Sequence, residues 1–230
     1  MATVLVTGAN RGIGLEFTTQ YLQRGDRVIA TCRDFENAEA LRALGAQNPA
    51  LKILQLDVAD HDSIAGFPSQ LLGEAIDIFI NNAGIYGPRD SRFGNVNAYE
   101  WMEVLQVNSI APLLLTQELI GHLRAGKEKK LIYLTSKMGS IADNGGGGHY
   151  LYRSSKTALN MVVKSLAVDL GKEDFVAAVL HPGWVRTDMG GPNGMIDTNT
   201  SVTGMVKVID GLSSKDNGGF FNYDGAVIPW

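Results

Sequence analysis

Val4-Leu5-Val6-Thr7-Gly8-Ala9-Asn10-Arg11-Gly12-Ile13-Gly14 is the stretch from which the rest of the chain is read. An apolar run of strand type leads directly into three glycines, and a helix-type pattern follows them. Gly8, Gly12 and Gly14 let backbone approach a phosphate and let a helix N-terminus point at it. Their spacing, Gly-x-x-x-Gly-x-Gly, departs from the commoner Gly-x-Gly-x-x-Gly fingerprint. Among 27 glycines in 230 residues the spacing alone is weak, but its position between a first strand and a first helix is not.

Downstream, short apolar runs alternate with helix-length segments. Strands are predicted at Thr3–Thr7, Arg27–Cys32, Lys52–Leu56, Ile76–Asn81, Lys130–Leu134, Val176–His181 and Gly219–Tyr223. Helices are predicted at Gly12–Arg24, Phe35–Leu44, His61–Leu72, Ala98–Arg124, Tyr152–Leu170 and Thr200–Leu212. Strands that read as continuous apolar runs, with helices between them, imply a parallel sheet covered on both faces. The expected fold is therefore α/β: one domain over residues 1–230, a doubly wound sheet of about seven parallel strands. Ligands of such sheets sit beyond the carboxyl ends of the strands.

Composition narrows the function. Hydrophobic residues make up 45% and charged residues 19%, as in a globular chain. The net charge of −4, with no long basic run, argues against nucleic acid. No apolar stretch approaches the ~18 residues that span a bilayer. The strand that begins almost at Met1 leaves no room for a signal peptide, and the single cysteine, Cys32, suits a reducing compartment. A cytoplasmic protein with a small-molecule ligand, and with no metal site, is expected.

At the end of the second strand an acid accepts the ribose 2′-OH of NAD, while an arginine favours the 2′-phosphate of NADP. Arg33 stands there, and Arg11 in the glycine turn approaches the same point. Asp34 competes, either for the 2′-OH or as a helix cap. Two arginines against one displaced acid favour NADP(H).

Two Tyr-x-x-x-Lys pairs occur. Tyr133 and Lys137 lie mostly on a strand, where four residues span ~13 Å. Tyr152 and Lys156 lie on a predicted helix, where such side chains are neighbours about 5–6 Å apart at Cβ. A lysine cation ~4 Å away, at an effective dielectric near 20, favours the phenolate by about 4 kcal/mol. That would bring Tyr152 from about pKa 10 towards the working pH of an acid/base catalyst. Tyr150 is off the face of Lys156, and His181 is a weak rival.

The glycine turn and Tyr152-Arg153-Ser154-Ser155-Lys156 together resemble the short-chain dehydrogenase/reductase family, and the resemblance covers the whole chain. It implies that Cys32 stands in the slot of the NAD-preferring acid. Asp57-Val58 resembles the adenine-contacting pair, and Asn81-Asn82-Ala83-Gly84 the element that supports the sheet and lies along the cofactor. Ser136, in Ser136-Lys137-Met138-Gly139, would hydrogen-bond the substrate oxygen. Asn108 would be the fourth catalytic residue, at a kink that holds water for the lysine. Pro182 and Gly183 match the family's turn, from which Val185 and Thr187 would reach the nicotinamide. The implied site is catalytic at Asn108, Ser136, Tyr152 and Lys156. The cofactor would be held by Gly8, Asn10, Arg11, Gly12, Ile13, Gly14, Arg33, Asp57, Val58, Asn82, Ala83, Gly84, Tyr152, Lys156, Pro182, Gly183, Val185 and Thr187.

Ser136 and Tyr152 stand 16 residues apart, longer than the commonest family spacing, with Asp143–Gly148 absorbing the excess. Tyr86, Met138, Trp184 and Met189 are expected to line an apolar pocket beneath a substrate loop of about 187–204. That loop, rich in glycine, is expected to be mobile. Within the family the chain resembles sniffer-type carbonyl reductases and the bacterial C-factor proteins. The first implies NADPH-dependent reduction of ketones, aldehydes or quinones; the second implies a dinucleotide-binding signalling protein with secondary turnover. The family also implies a homodimer or homotetramer, through the helices at Ala98–Arg124 and Tyr152–Leu170.

Overall fold

Each of the seven apolar runs forms a strand of one parallel sheet, in a computed structural model that describes residues 1–230. They are β1 (Thr3–Val6), β2 (Arg27–Cys32), β3 (Leu51–Gln55), β4 (Ile78–Asn81), β5 (Lys130–Leu134), β6 (Val176–His181) and β7 (Gly219–Asn222). Their order across the sheet is β3-β2-β1-β4-β5-β6-β7. β1 pairs with β2 on one side and with β4 on the other, so the winding reverses between β1 and β4. A crevice opens where connections leave such a point in opposite directions.

Strand side chains alternate between the faces and build two cores. Leu5, Ile29, Phe79, Leu131 and Val179 pack on one face against α3 (His61–Gly66), α5 (Ala111–Ala125) and α6 (Tyr150–Leu170). Val4, Val6, Ala30, Ile80 and Leu180 pack on the other against α1 (Gly12–Gln23), α2 (Glu39–Gln47) and α7 (Thr198–Gly211). The remaining helix, α4 (Ala98–Leu105), runs into α5 through one π turn at Gln106–Ile110. That turn has a local cause. Pro112 lacks the N–H that a regular helix would give to the carbonyl of Asn108, and its ring crowds that carbonyl.

Several helix limits differ from those read in the sequence, among them three with a local cause or consequence. α2 starts at Glu39 and not at Phe35, because the Asp34 carboxylate accepts from the N–H groups of Glu36 (2.9 Å) and Asn37 (3.4 Å) and turns the chain. α3 ends at Gly66 and passes into a 3₁₀ turn containing Pro68. α6 starts two residues early, at Tyr150.

The outer edge of β7 is covered. Asn222 N–H donates to Ala226 O (2.7 Å) and Ile228 N–H to Phe220 O (2.8 Å), so the last residues fold back antiparallel on that strand. This removes an open sheet edge. The same segment braces the loop after β5: Ser140 Oγ donates to Pro229 O (2.6 Å) and Ala142 N–H to Trp230 O (2.9 Å). Ile228 is buried against the core of α5 and α6. Ile228→Ala is expected to cost about 2–5 kcal/mol, read as a lowered urea midpoint at unchanged m value.

Candidate active site

One hydroxyl joins the two turns that floor the crevice. Thr7 Oγ1 accepts from the N–H groups of Asn82 and Ala83, both at 3.0 Å. The Asn82 amide donates back to Thr7 O (2.8 Å) and Gly8 O (3.0 Å). The ends of β1 and β4 are thus tied across the point where the sheet reverses. Gly8 (φ +62°) and Gly12 (φ +55°) both adopt the left-handed backbone expected of turn glycines. A Cβ on Gly14 would press into the Gly8 carbonyl and stand 2.6 Å from Asn82 Nδ2, so α1 can start this close to β1 only with glycine there.

The start of α1 suits an anion. Arg11 precedes it in extended conformation, no side chain caps it, and its first turn holds no acid. Its unpaired N–H groups, with the positive end of the helix dipole, fit a pyrophosphate. Asn10 and Ile13 flank this turn, half-buried. Cys32 is buried among core side chains and does not offer an acceptor to a ribose. Arg33 beside it is exposed, and Asp34 uses both carboxylate oxygens on its own turn, holding the Asn37 side chain as well. Those hydrogen bonds, from the Asn37 side chain first, hold its pKa below the usual carboxylate range. Asp34 caps no helix, since α2 starts only at Glu39; its carboxylate closes the turn before it.

Arg11 stands elsewhere than expected: its guanidinium pairs with Asp188 at 2.7 Å, spanning from the glycine turn to the loop after β6. Both side chains are more than 70% exposed, at 72% and 74%. Such a pair is worth about 0–1 kcal/mol and yields readily to a phosphate, whose charge-assisted hydrogen bonds are stronger. Thr187 lies in the same loop, its Cγ2 3.4 Å from where a Gly12 Cβ would be. Val185 is buried and bridged to Ile196, Pro182 O accepts from Ser201, and Gly183 makes its turn at φ +83°. Asp57 turns the chain after β3, accepting from Ala59 N–H at 2.9 Å, and Val58 packs against the core.

The four residues read as catalytic converge at the carboxyl ends of β4 and β5. Asn108, on the π turn, donates to Ile85 O (2.8 Å) and Ser155 Oγ (3.0 Å) and accepts from Ile85 N–H (2.9 Å). Lys156 Nζ donates to Leu134 O at 2.9 Å. Gly84 makes room for both: a Cβ there would lie 3.1 Å from Asn108 Oδ1 and 3.5 Å from Lys156 Nζ. Ser136 Oγ accepts from Met138 N–H (3.1 Å), which leaves its proton to donate. Gly139 lets that loop sit on α6, since a Cβ would come within 2.9 Å of Lys156 backbone. Tyr133 is enclosed in the core on Thr116 (2.7 Å), and Tyr150 is exposed at the helix start.

The electrostatics differ from those read in the sequence. Burial pushes the Tyr152 hydroxyl up to about 12, against a downward pull from the Ser136 hydroxyl. Burial also lowers Lys156, to about 8. The lysine ammonium stands 5.9 Å from the centre of the tyrosine ring and spends one donor on the Leu134 carbonyl. Desolvation outweighs attraction here. His181, whose Nδ1 has no partner, is lowered to about 4 by burial and is neutral.

Tyr86 stacks on Tyr152, ring centres 4.4 Å apart, and its hydroxyl meets His149 Nδ1 (3.2 Å) and Met138 Sδ (3.9 Å). Met189 and Trp184 are exposed in the loop after β6, where Trp184 Nε1 donates to Gly190 O (2.8 Å). Gly191 turns the loop at φ +78° with open space where a Cβ would stand. Gly190 and Gly194 are close-approach positions, where a Cβ would strike the backbone of Val185 and Arg186, and Met195 N–H donates to Trp184 O (2.7 Å). Sequence reading missed Thr7, Ser155 and Asn160, whose amide links Thr135 (2.7 Å) to Gly139 O (3.2 Å). A buried polar residue at the end of an apolar run was the signal for Thr7.

Comparison with known proteins agrees with this geometry. C-signal of Myxococcus xanthus is 43% identical over 164 residues, covering 71% of this chain and 98% of that protein. Carbonyl reductase Sniffer of D. melanogaster superposes over all of both chains with a TM-score of 0.93 at 35% identity. An NADPH-bound carbonyl reductase from chicken fatty liver gives 0.92 at 37% identity, over 100% of this chain and 99% of the other. The short chain dehydrogenase family model matches residues 2–195, and the chain belongs to that family of oxidoreductases.

Proposed function

We propose that the protein is an NADPH-dependent carbonyl reductase in which Tyr152 donates the proton. The observation that carries this reading is the meeting of Ser136, Tyr152 and Lys156 beside the glycine turn, at the reversal point of the sheet. The likeness to two carbonyl reductases supports it, one of them NADPH-bound.

The dinucleotide, when bound, supplies the hydride. The α1 N-terminus and Arg11 would hold its phosphates, and Arg33 its 2′-phosphate. Ser136 donates its hydroxyl proton to the carbonyl oxygen and orients it. Tyr152, neutral at working pH, then transfers its proton to that oxygen as charge develops there. Lys156, still charged near pH 7, stabilises the phenolate left behind. Tyr86 covers the pair and keeps water away.

The similarity to C-signal favours a second reading, a signalling protein that binds a dinucleotide and turns over little. A sensor has no need of a buried acid, and NADPH oxidation with a panel of quinones, aldehydes and diketones separates the two.

Tyr152→Phe is expected to retain NADPH binding by fluorescence titration and to lose about 10²–10⁴-fold in turnover. Loss from Tyr150→Phe instead would move the role to the exposed tyrosine. The Lys156 ammonium is charged below about pH 8 and lost above it. Reduction should therefore be level up to that pH and decline beyond it, while Tyr152 stays protonated; a profile level to about pH 10 would refute the role of Lys156. Arg33→Ala should remove most of an NADPH-over-NADH preference of about tenfold or more, or about 1.4 kcal/mol. Equal affinities in the parent protein would refute the role of Arg33.

A further inference from the structure

Every arginine of the chain makes an ion pair with a carboxylate except Arg33, Arg89 and Arg153. Arg33 flanks the dinucleotide crevice. The other two both stand beside Tyr86, at the mouth of the proposed substrate site. The Arg89 guanidinium lies over the Tyr86 ring, 5.4 Å from its centre, and donates to Met189 O at 2.9 Å. Tyr86 in turn stacks on Tyr152, so Arg89 is one aromatic layer from the proposed proton donor. Arg153 follows Tyr152 on α6 and donates to Met138 O and Gly147 O, both at 3.2 Å. The positive charge of both guanidinium groups opposes the upward push of burial on the Tyr86 hydroxyl.

Nearby acids do not neutralise them. Asp90 pairs with Arg92 (3.6 Å), Asp143 with Lys137 (3.3 Å) and Asp188 with Arg11 (2.7 Å). Backbone carbonyls position the two guanidinium groups without cancelling their charge. A guanidinium carries five N–H donors, so each keeps donors for a ligand, in the fork that fits a carboxylate or phosphate oxygen pair.

We infer that the carbonyl substrate carries an anionic group, which Arg89 and Arg153 bind at the rim while the carbonyl meets Tyr152 and Ser136. This rests on the carbonyl-reductase reading and narrows its substrate class. The apolar wall of Tyr86, Met138 and Met189 takes the body of the molecule, and the two cations take its charged end.

The test compares para-carboxybenzaldehyde with its methyl ester, at saturating NADPH. The acid is expected to show a kcat/KM about tenfold or more above that of the ester, although the ester's carbonyl is the more electrophilic. The difference should reside in KM and shrink with added NaCl, because salt screens exposed charges. Arg89→Gln and Arg153→Gln should each reduce the acid-to-ester ratio severalfold and together abolish it, while Arg89→Lys keeps part of it. A merely structural role for either arginine would slow both aldehydes alike and leave the ratio unchanged. Calorimetry of para-(hydroxymethyl)benzoate binding to the NADP⁺ complex should show the same salt dependence and the same losses. An acid-to-ester ratio near one in the parent protein, or a ratio that survives the double substitution, overturns the inference and leaves the reductase standing. If neither aldehyde nor menadione oxidises NADPH, the reductase reading falls and takes this inference with it.

Discussion

The site depends first on the knot at Thr7. Four hydrogen bonds cross between the turns after β1 and β4, two accepted by one hydroxyl and two given back by Asn82. Each is worth about 1 kcal/mol net, but a buried N–H left unmatched would cost about 1–3 kcal/mol. Their larger effect is geometric. Asn82 fixes where Gly8 and Gly14 stand, and hence where the α1 N-terminus points. The same turn continues to Gly84, whose bare backbone admits Asn108 and Lys156. The glycine turn and the Tyr152–Lys156 end of the crevice are therefore parts of one floor.

On the proton end, the π turn makes Asn108 available. A regular helix through Pro112 would crowd the Asn108 carbonyl, and widening by one residue relieves the clash. The side chain then reaches Ile85 and Ser155, locking the β4 loop to α6. Ser109 reinforces the join by donating to Ser155 O at 2.7 Å. Asn108 is thus a joist between elements whatever else it does, and all of its amide atoms have partners in the chain.

The strands were legible because a parallel sheet buried on both faces leaves long apolar runs in the sequence, and both faces are buried here. Helix starts were less so: Phe35–Asn37 has no helical defect of its own, and only the Asp34 turn excludes it. The residues that carry chemistry were legible as types at fixed spacing. Their charges were not. Spacing suggests that Lys156 pulls the Tyr152 pKa down, whereas depth of burial sets the direction of both shifts, and depth is a property of the whole fold. The Arg11–Asp188 pair was not legible for a related reason, since its members lie 177 residues apart in sequence.

Burial that raises tyrosine and lowers lysine also fixes the resting state of the site. With Tyr152 at about 12 and Lys156 at about 8, both protons are in place near neutrality, the arrangement suited to giving a proton away. An ionised tyrosine would need the lysine closer, or water nearer, and Tyr86 stacked on the ring opposes the second. In the proposed reduction the enclosure would hold the proton on Tyr152 until negative charge develops beside it. Desolvation raises the cost of the phenolate, and in the proposed step the Lys156 charge and the Ser136 hydroxyl would offset part of it. Because Lys156 is an ammonium near neutrality, held by the Leu134 carbonyl, it would support the phenolate by its charge alone.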